Sequence, residues 1–234
     1  MDGGVIILDF GSQVTQLIAR RLREFDVYSE LHPYNFSLDE IKKKKPKAII
    51  LSGGPLSVND ETSPKREISE LLEIAPVMGI CFGMQLMAMQ YGGIVEKAKV
   101  REYGKKTVHW SDPIKKLPTE QNVWMSHGDQ ITEPPPGFTS LASSENSPIV
   151  VMGNDKGMLG MQFHPEVAHT PQGAQILRNF AYKVCGLNGS WTPGNFVAEA
   201  IARIKAQVGD AKVICALSGG VDSAVAGAIV AKAI

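Results

Sequence analysis

Short, nearly unbroken apolar runs recur along the chain: Val5-Ile6-Ile7-Leu8, Ala48-Ile49-Ile50-Leu51, Val77-Met78-Gly79-Ile80 and Val213-Ile214-Cys215-Ala216-Leu217. Apolar residues that do not alternate with polar ones suit strands covered on both faces, as in parallel sheets. Stretches of helical character lie at residues 12–25, 64–74, 83–91 and 173–184. The alternation predicts an α/β fold, an open and mostly parallel sheet flanked by helices, with its site in the loops at the carboxyl ends of the strands. Residues 94–160 show shorter, turn-rich segments that predict added strands or hairpins. Five lysines surround Pro46 at 42–47, which reads as the solvated end of a helix before the strand at Ala48.

A boundary falls at 186–194, where Gly, Asn, Ser and Pro follow a helical segment. Beyond it Val197, Ile201, Ile204 and Val208 keep helical spacing, residues 213–217 predict a strand, and a further helix follows 218–223. The predicted domains are therefore 1–189 and 190–234. Forty-five residues are too few for an independent core, so the second α/β domain is expected to be incomplete.

Composition removes several function classes. Hydrophobic residues make 44% and charged residues 21% of 234, an ordinary globular balance. Lys plus Arg and Asp plus Glu are 24 each, which excludes a nucleic-acid partner recognisable by charge. Cys81, Cys185 and Cys215 form no CxxC pair and no zinc spacing, so no metal site is expected. The apolar run after Met-Asp-Gly-Gly is too short for a signal peptide, and residues 224–234 contain Lys232 and fall short of a membrane span. A soluble, cytoplasmic protein with no membrane partner is the expectation.

Three motifs carry chemistry. Gly79-Ile80-Cys81-Phe82-Gly83 joins a strand to a helix with glycines two residues either side of a cysteine. That is a nucleophile elbow, a tight turn that presents its central side chain beside a helix N-terminus, where thiolate is favoured. Gln162-Phe163-His164-Pro165-Glu166 spaces a histidine and a carboxylate two apart, so an extended backbone points both to one side and the acid can orient the imidazole. Ser52-Gly53-Gly54-Pro55 ends another strand and can offer backbone N–H groups to a developing negative charge.

Together these motifs resemble the class I (triad) glutamine amidotransferase family over about residues 5–187. The resemblance implies that Cys81 attacks the amide of L-glutamine, that His164 shuttles the proton and that Glu166 orients His164. It implies oxyanion donors at Gly54 and Phe82, substrate contacts at Gln85, Ser126 and Asp129 within Met125-Ser126-His127-Gly128-Asp129, and no cofactor for this step. His127 is a weaker candidate for the base.

A fourth motif, Ser218-Gly219-Gly220-Val221-Asp222-Ser223 followed by Ala224, stands between a predicted strand and a helix. Glycines and hydroxyls at a helix N-terminus suit a pyrophosphate. The string resembles the signature of ATP pyrophosphatases, which implies ATP contacts from these seven residues. An amidotransferase followed by this loop resembles the glutamine-hydrolysing GMP synthetase family, whose members aminate XMP to GMP with ATP and Mg²⁺. The chain departs from that family by ending at Ile234, so it is expected to lack the remaining ATP domain, the XMP site and the region for homodimerisation, and not to make GMP alone. The alternative readings are a glutamine-sensing module and a stand-alone amidotransferase subunit.

Overall fold

Five strands, Val5–Asp9 (β1), Ser29–Pro33 (β2), Ala48–Leu51 (β3), Val77–Ile80 (β4) and Met158–Met161 (β9), pair in parallel in the order β2-β1-β3-β4-β9. The computed structural model describes residues 3–111 and 119–234. The sheet continues from β9 through antiparallel strands Val151–Gly153 (β8), Thr139–Ser144 (β7), Ile94–Trp110 (β5) and Glu120–Glu133 (β6). The turn-rich middle of the chain thus forms strands and one long hairpin, β5–β6; residues 112–118 lie outside the described residues.

Why β1, β3 and β4 read as unbroken apolar runs follows from the core. Val5, Ile7, Ala48 and Ile50 face one apolar cluster, whereas Ile6, Leu8, Ile49 and Leu51 face another. Helix Thr15–Arg23 (α1) covers the first face with Ile18 and Leu22, beside Gly173–Asn179 (α5) and its closing π turn, Phe180–Val184. The opposite face is covered by Leu38–Lys44 (α2), Ile68–Leu72 (α3) and Phe82–Gln90 (α4). Seven consecutive residues of α4, Phe82 to Ala88, are buried, so this helix has no solvent stripe to betray its period. The lysine run does close α2: Lys45 adopts φ 46°, and β3 begins at Ala48.

Strand β2 has no counterpart in the apolar pattern. It is an edge strand of alternating exposure, Ser-Glu-Leu-His-Pro, and its terminal Pro33 is tolerated because the outer side has no ladder to feed.

The chain divides into two compact units, Met1–Gly189 and Ser190–Ile234. In the second, Thr192 caps helix Pro193–Val208 (α6) by accepting from Asn195 N–H at 3.1 Å, with Pro193 at the first helical position. The strand predicted at 213–217 does not form: residues 211–218 are irregular, with Ile214 98% and Leu217 63% exposed. An apolar run becomes a strand only where a neighbour takes its N–H and C=O groups. Helix Val221–Ala233 (α7) follows, and Ala200 and Ala233 are the unit's buried hydrophobic residues. No helix among the described residues is long and apolar enough to cross a membrane.

Candidate active site

Cys81 stands between β4 and α4 with φ 52° and ψ −106°, a conformation costly for a residue bearing a Cβ. The flanking glycines explain how the turn closes. A Cβ on Gly79 would lie 2.6 Å from the Gly83 carbonyl, and one on Gly83 would lie 2.6 Å from the Leu51 carbonyl oxygen. The elbow packs backbone on backbone, and only glycine fits there.

The loop after β3 lies against this turn. Ser52 fixes it by accepting from Phe10 N–H through Oγ at 2.9 Å and donating its own N–H to the Leu8 carbonyl at 3.0 Å. A Cβ on Gly53 would meet His164 Cε1 at 3.1 Å and Cys81 Cβ at 3.6 Å, so Gly53 abuts both. Gly54 packs against the Phe10 carbonyl and the Phe82 ring. Phe82 is the first residue of α4, where a backbone N–H has no partner within the helix.

Residues 162–166 follow β9, parallel to β4, and bring the histidine to the elbow. His164 Nδ1 lies 2.8 Å from Glu166 Oε1, and the carboxylate is completely buried. Burial opposes charge on the imidazole, but hydrogen bonds to Cys81 and Glu166, with their negative charges, outweigh it and push His164 up to about 10. His164 is held by its backbone too: its N–H donates to the Trp124 carbonyl at 3.0 Å, while Thr170 Oγ1 donates to the His164 carbonyl at 2.7 Å and accepts from Trp124 N–H at 3.0 Å.

Strand β6 supplies the opposite wall. The Ser126 carbonyl lies 3.7 Å from Cys81 Sγ, and Asp129 accepts from Ser57 Oγ through Oδ2. Both amide protons of Gln85 are engaged, one by the Asp129 carbonyl at 2.9 Å and one by Gln162 Oε1 at 3.0 Å. Gln85 is therefore left with its own oxygen to offer a ligand. His127 projects to the buried side of β6, with Nδ1 on the Asp129 carbonyl at 2.9 Å and Nε2 3.2 Å from Glu102 Oε2. With both nitrogens facing acceptors, its ring has nothing to spare for Cys81.

Residues 218–224 occupy the other unit. Ser218 Oγ and Ser223 Oγ lie 3.1 Å apart, Ser223 Oγ donates to the Gly220 carbonyl at 2.9 Å, and Gly219 has φ 84°. With Gly220 as N-cap and Ala224 N–H bonded to its carbonyl, the loop wraps the amino end of α7. No cluster of metal-binding side chains occurs among the described residues.

The profile of class-I glutamine amidotransferases matches residues 6–184. The chain belongs to that family. This amidotransferase is 50% identical, over 98% of its length, to a Listeria innocua protein named GMP synthase [glutamine-hydrolyzing], and 52% identical to one of that name from Bacillus licheniformis. It spans 45% and 46% of those two proteins. Among solved structures, a Thermoplasma acidophilum protein described as a GMP synthase subunit superposes with a TM-score of 0.70 at 31% identity, covering 80% of this chain and 95% of that one. A Thermotoga maritima glutamine amidotransferase, at 22% identity and TM-score 0.58, shares the fold.

Three residues beside the candidate site escaped the sequence reading: Ser57, which touches Asp129; Thr170, which ties His164 to β6; and Glu102, which meets His127. None sits in a recognisable motif. Only Thr170, six residues after His164, is near enough to a motif for its sequence position to hint at a role.

Proposed function

We propose that this chain hydrolyses the side-chain amide of glutamine with Cys81, His164 and Glu166. Cys81 Sγ attacks the amide carbon, and the resulting oxyanion is received by the N–H groups of Gly54 and Phe82. The His164 imidazolium gives its proton to the departing nitrogen, so ammonia leaves and a thioester to Cys81 remains. Water then adds as His164 takes its proton back, and glutamate departs. Asp129 receives the α-ammonium, Ser126 lines the approach, and the Gln85 oxygen accepts from the substrate. The observation that carries this reading is His164, held at 2.8 Å by a buried Glu166 and set, with Cys81, against Gly53.

The ammonia is used to aminate XMP to GMP in a longer protein. The likeness to the Listeria and Bacillus enzymes supports this, because it runs over 98% of the chain and so reaches past residue 184 into the loop before α7. A free amidotransferase subunit would have no need of that segment. The residues present fit the pyrophosphate end of ATP: Gly219 at φ 84° folds the loop, and Gly220 caps a helix of 13 residues whose first N–H groups have no partner within the helix. Residues 218–224 would hold those phosphates with Mg²⁺, and ATP supplies the activation of the acceptor oxygen when bound.

The test is ammonia release from glutamine. The chain should liberate ammonia and glutamate in equal amounts, and Cys81→Ala should abolish both. Unimpaired release by Cys81→Ala would overturn the assignment.

A further inference from the structure

Outside the proposed machinery lies one buried ionisable pair with no role in proton transfer. Strands β5 and β6 pair regularly from His109/Glu120 to Glu102/His127, and the register then breaks. Pairing resumes at Lys97/Asp129, so residues 98–101 bulge out of β5 opposite the single residue Gly128. Glu102 and His127 are the last matched residues before that break, and the break lies beside the stretch carrying Ser126 and Asp129.

An irregular strand needs side chains to fix what the ladder does not. Glu102 is 0% exposed and accepts from Ser144 Oγ at 3.0 Å and from Ser147 Oγ at 2.8 Å, besides facing His127. Burial would raise its carboxyl, but His127 and the two serines outweigh that and hold it at about 2. His127 passes the constraint on, because its Nδ1 bonds the Asp129 carbonyl that Gln85 also grips from α4, and Gln85 in turn reaches Gln162, two residues before His164. Two side chains bond that carbonyl oxygen directly, His127 and Gln85, and each is held in turn by a second residue, Glu102 and Gln162. Strand β5 with the β7–β8 turn, strand β6, the helix of the nucleophile and the strap of the base are thereby linked in one chain of contacts.

We propose that Glu102 and His127 are positioning residues that hold the Asp129 carbonyl, and through it Ser126, Asp129 and Gln85, in the geometry that receives glutamine; this rests on the glutaminase reading. The pair touches no reacting atom. Its loss should weaken substrate capture while leaving the reactivity of the sulfur unchanged.

Glu102→Gln, His127→Asn and His127→Ala should be compared with the unaltered chain in three measurements: KM and kcat for glutamine, labelling of Cys81 by a glutamine-like diazo-ketone, and alkylation of Cys81 by iodoacetamide. Glu102→Gln should raise KM about tenfold, the size expected for a lost hydrogen bond to a charged group, with kcat little changed. Diazo-ketone labelling should slow in step with KM, and iodoacetamide alkylation should keep its rate. His127→Asn retains a donor where Nδ1 stood and should recover most of what His127→Ala loses. A KM for Glu102→Gln equal to that of the unaltered chain overturns the inference. So does a parallel loss of kcat, KM and iodoacetamide alkylation, which marks a purely structural role. Failure of the diazo-ketone to label the unaltered chain overturns instead the glutaminase reading beneath it.

Discussion

His164 and Glu166 are two residues apart, joined by Pro165, and their side chains meet at 2.8 Å in a site where the carboxylate has no exposure. The spacing predicts an extended step, but Pro165 and Glu166 form a turn, and that turn brings the carboxylate back to the imidazole. Only Oε1 of Glu166 is hydrogen-bonded among the described residues, which directs its charge to one ring nitrogen and leaves the other for Cys81.

Glu166→Gln should therefore lower glutamine turnover on the order of 10²–10⁴-fold, by analogy with loss of the orienting carboxylate in other triads, while KM changes little. Steady-state kinetics decide it. Turnover equal to that of the unaltered chain would show that Glu166 does not orient the base.

The raised His164 also fixes a pH dependence. Its folded value of about 10 lies above the ordinary 6.5, so charge on the ring favours the folded state. That stabilisation is complete below pH 6.5 and is lost as pH rises through about 10. Thermal melting of the unaltered chain should fall over that interval, and the fall should be shallower in Glu166→Gln. NMR titration of the imidazole gives the direct check, with a midpoint near 6.5 in the unaltered chain as the contrary result.

The three cysteines should separate by reagent. A glutamine-like diazo-ketone should modify Cys81 alone, since recognition selects it. Burial pushes the Cys185 thiol up to about 12, so Cys185 should resist general alkylation as well. Cys215 is exposed and should react with iodoacetamide but not with the glutamine analogue. Peptide mass mapping reads all three, and diazo-ketone label that persists in Cys81→Ala would refute the selectivity.

Gly79→Ala and Gly83→Ala each place a methyl 2.6 Å from backbone atoms that cannot move independently. Each should cost about 1–3 kcal/mol, the usual range for overpacking. In a chain of this size that lowers Tm by about 2–4 °C per kcal/mol. Gly53→Ala meets instead the edge of the His164 ring at 3.1 Å, so it should impair turnover more than melting. Differential scanning calorimetry beside kinetics separates the two classes.

Strands β1, β3 and β4 were legible because they are buried on both faces, so their composition alone carries the signal. Edge strand β2 was not, since a half-exposed Ser-Glu-Leu-His-Pro resembles a loop until its neighbour is known. The run at 213–217 misled for the converse reason: apolar composition states a tendency, and pairing partners realise it. The elbow and the His-Pro-Glu strap could be read because their constraints are local. Glu102 and His127 lie 25 positions apart and are joined by strand register, which no local pattern announces.

Thr170 spends its one proton on the His164 carbonyl and lends a lone pair to Trp124 N–H, and His164 N–H returns to the Trp124 carbonyl. A hydroxyl used in both directions acts as a rivet between two backbones. The backbone of His164 and strand β6 thus share a single frame. The spacing between His164 and strand β6 is in this way set by main-chain groups and one short hydroxyl, and does not depend on the freedom of any long side chain.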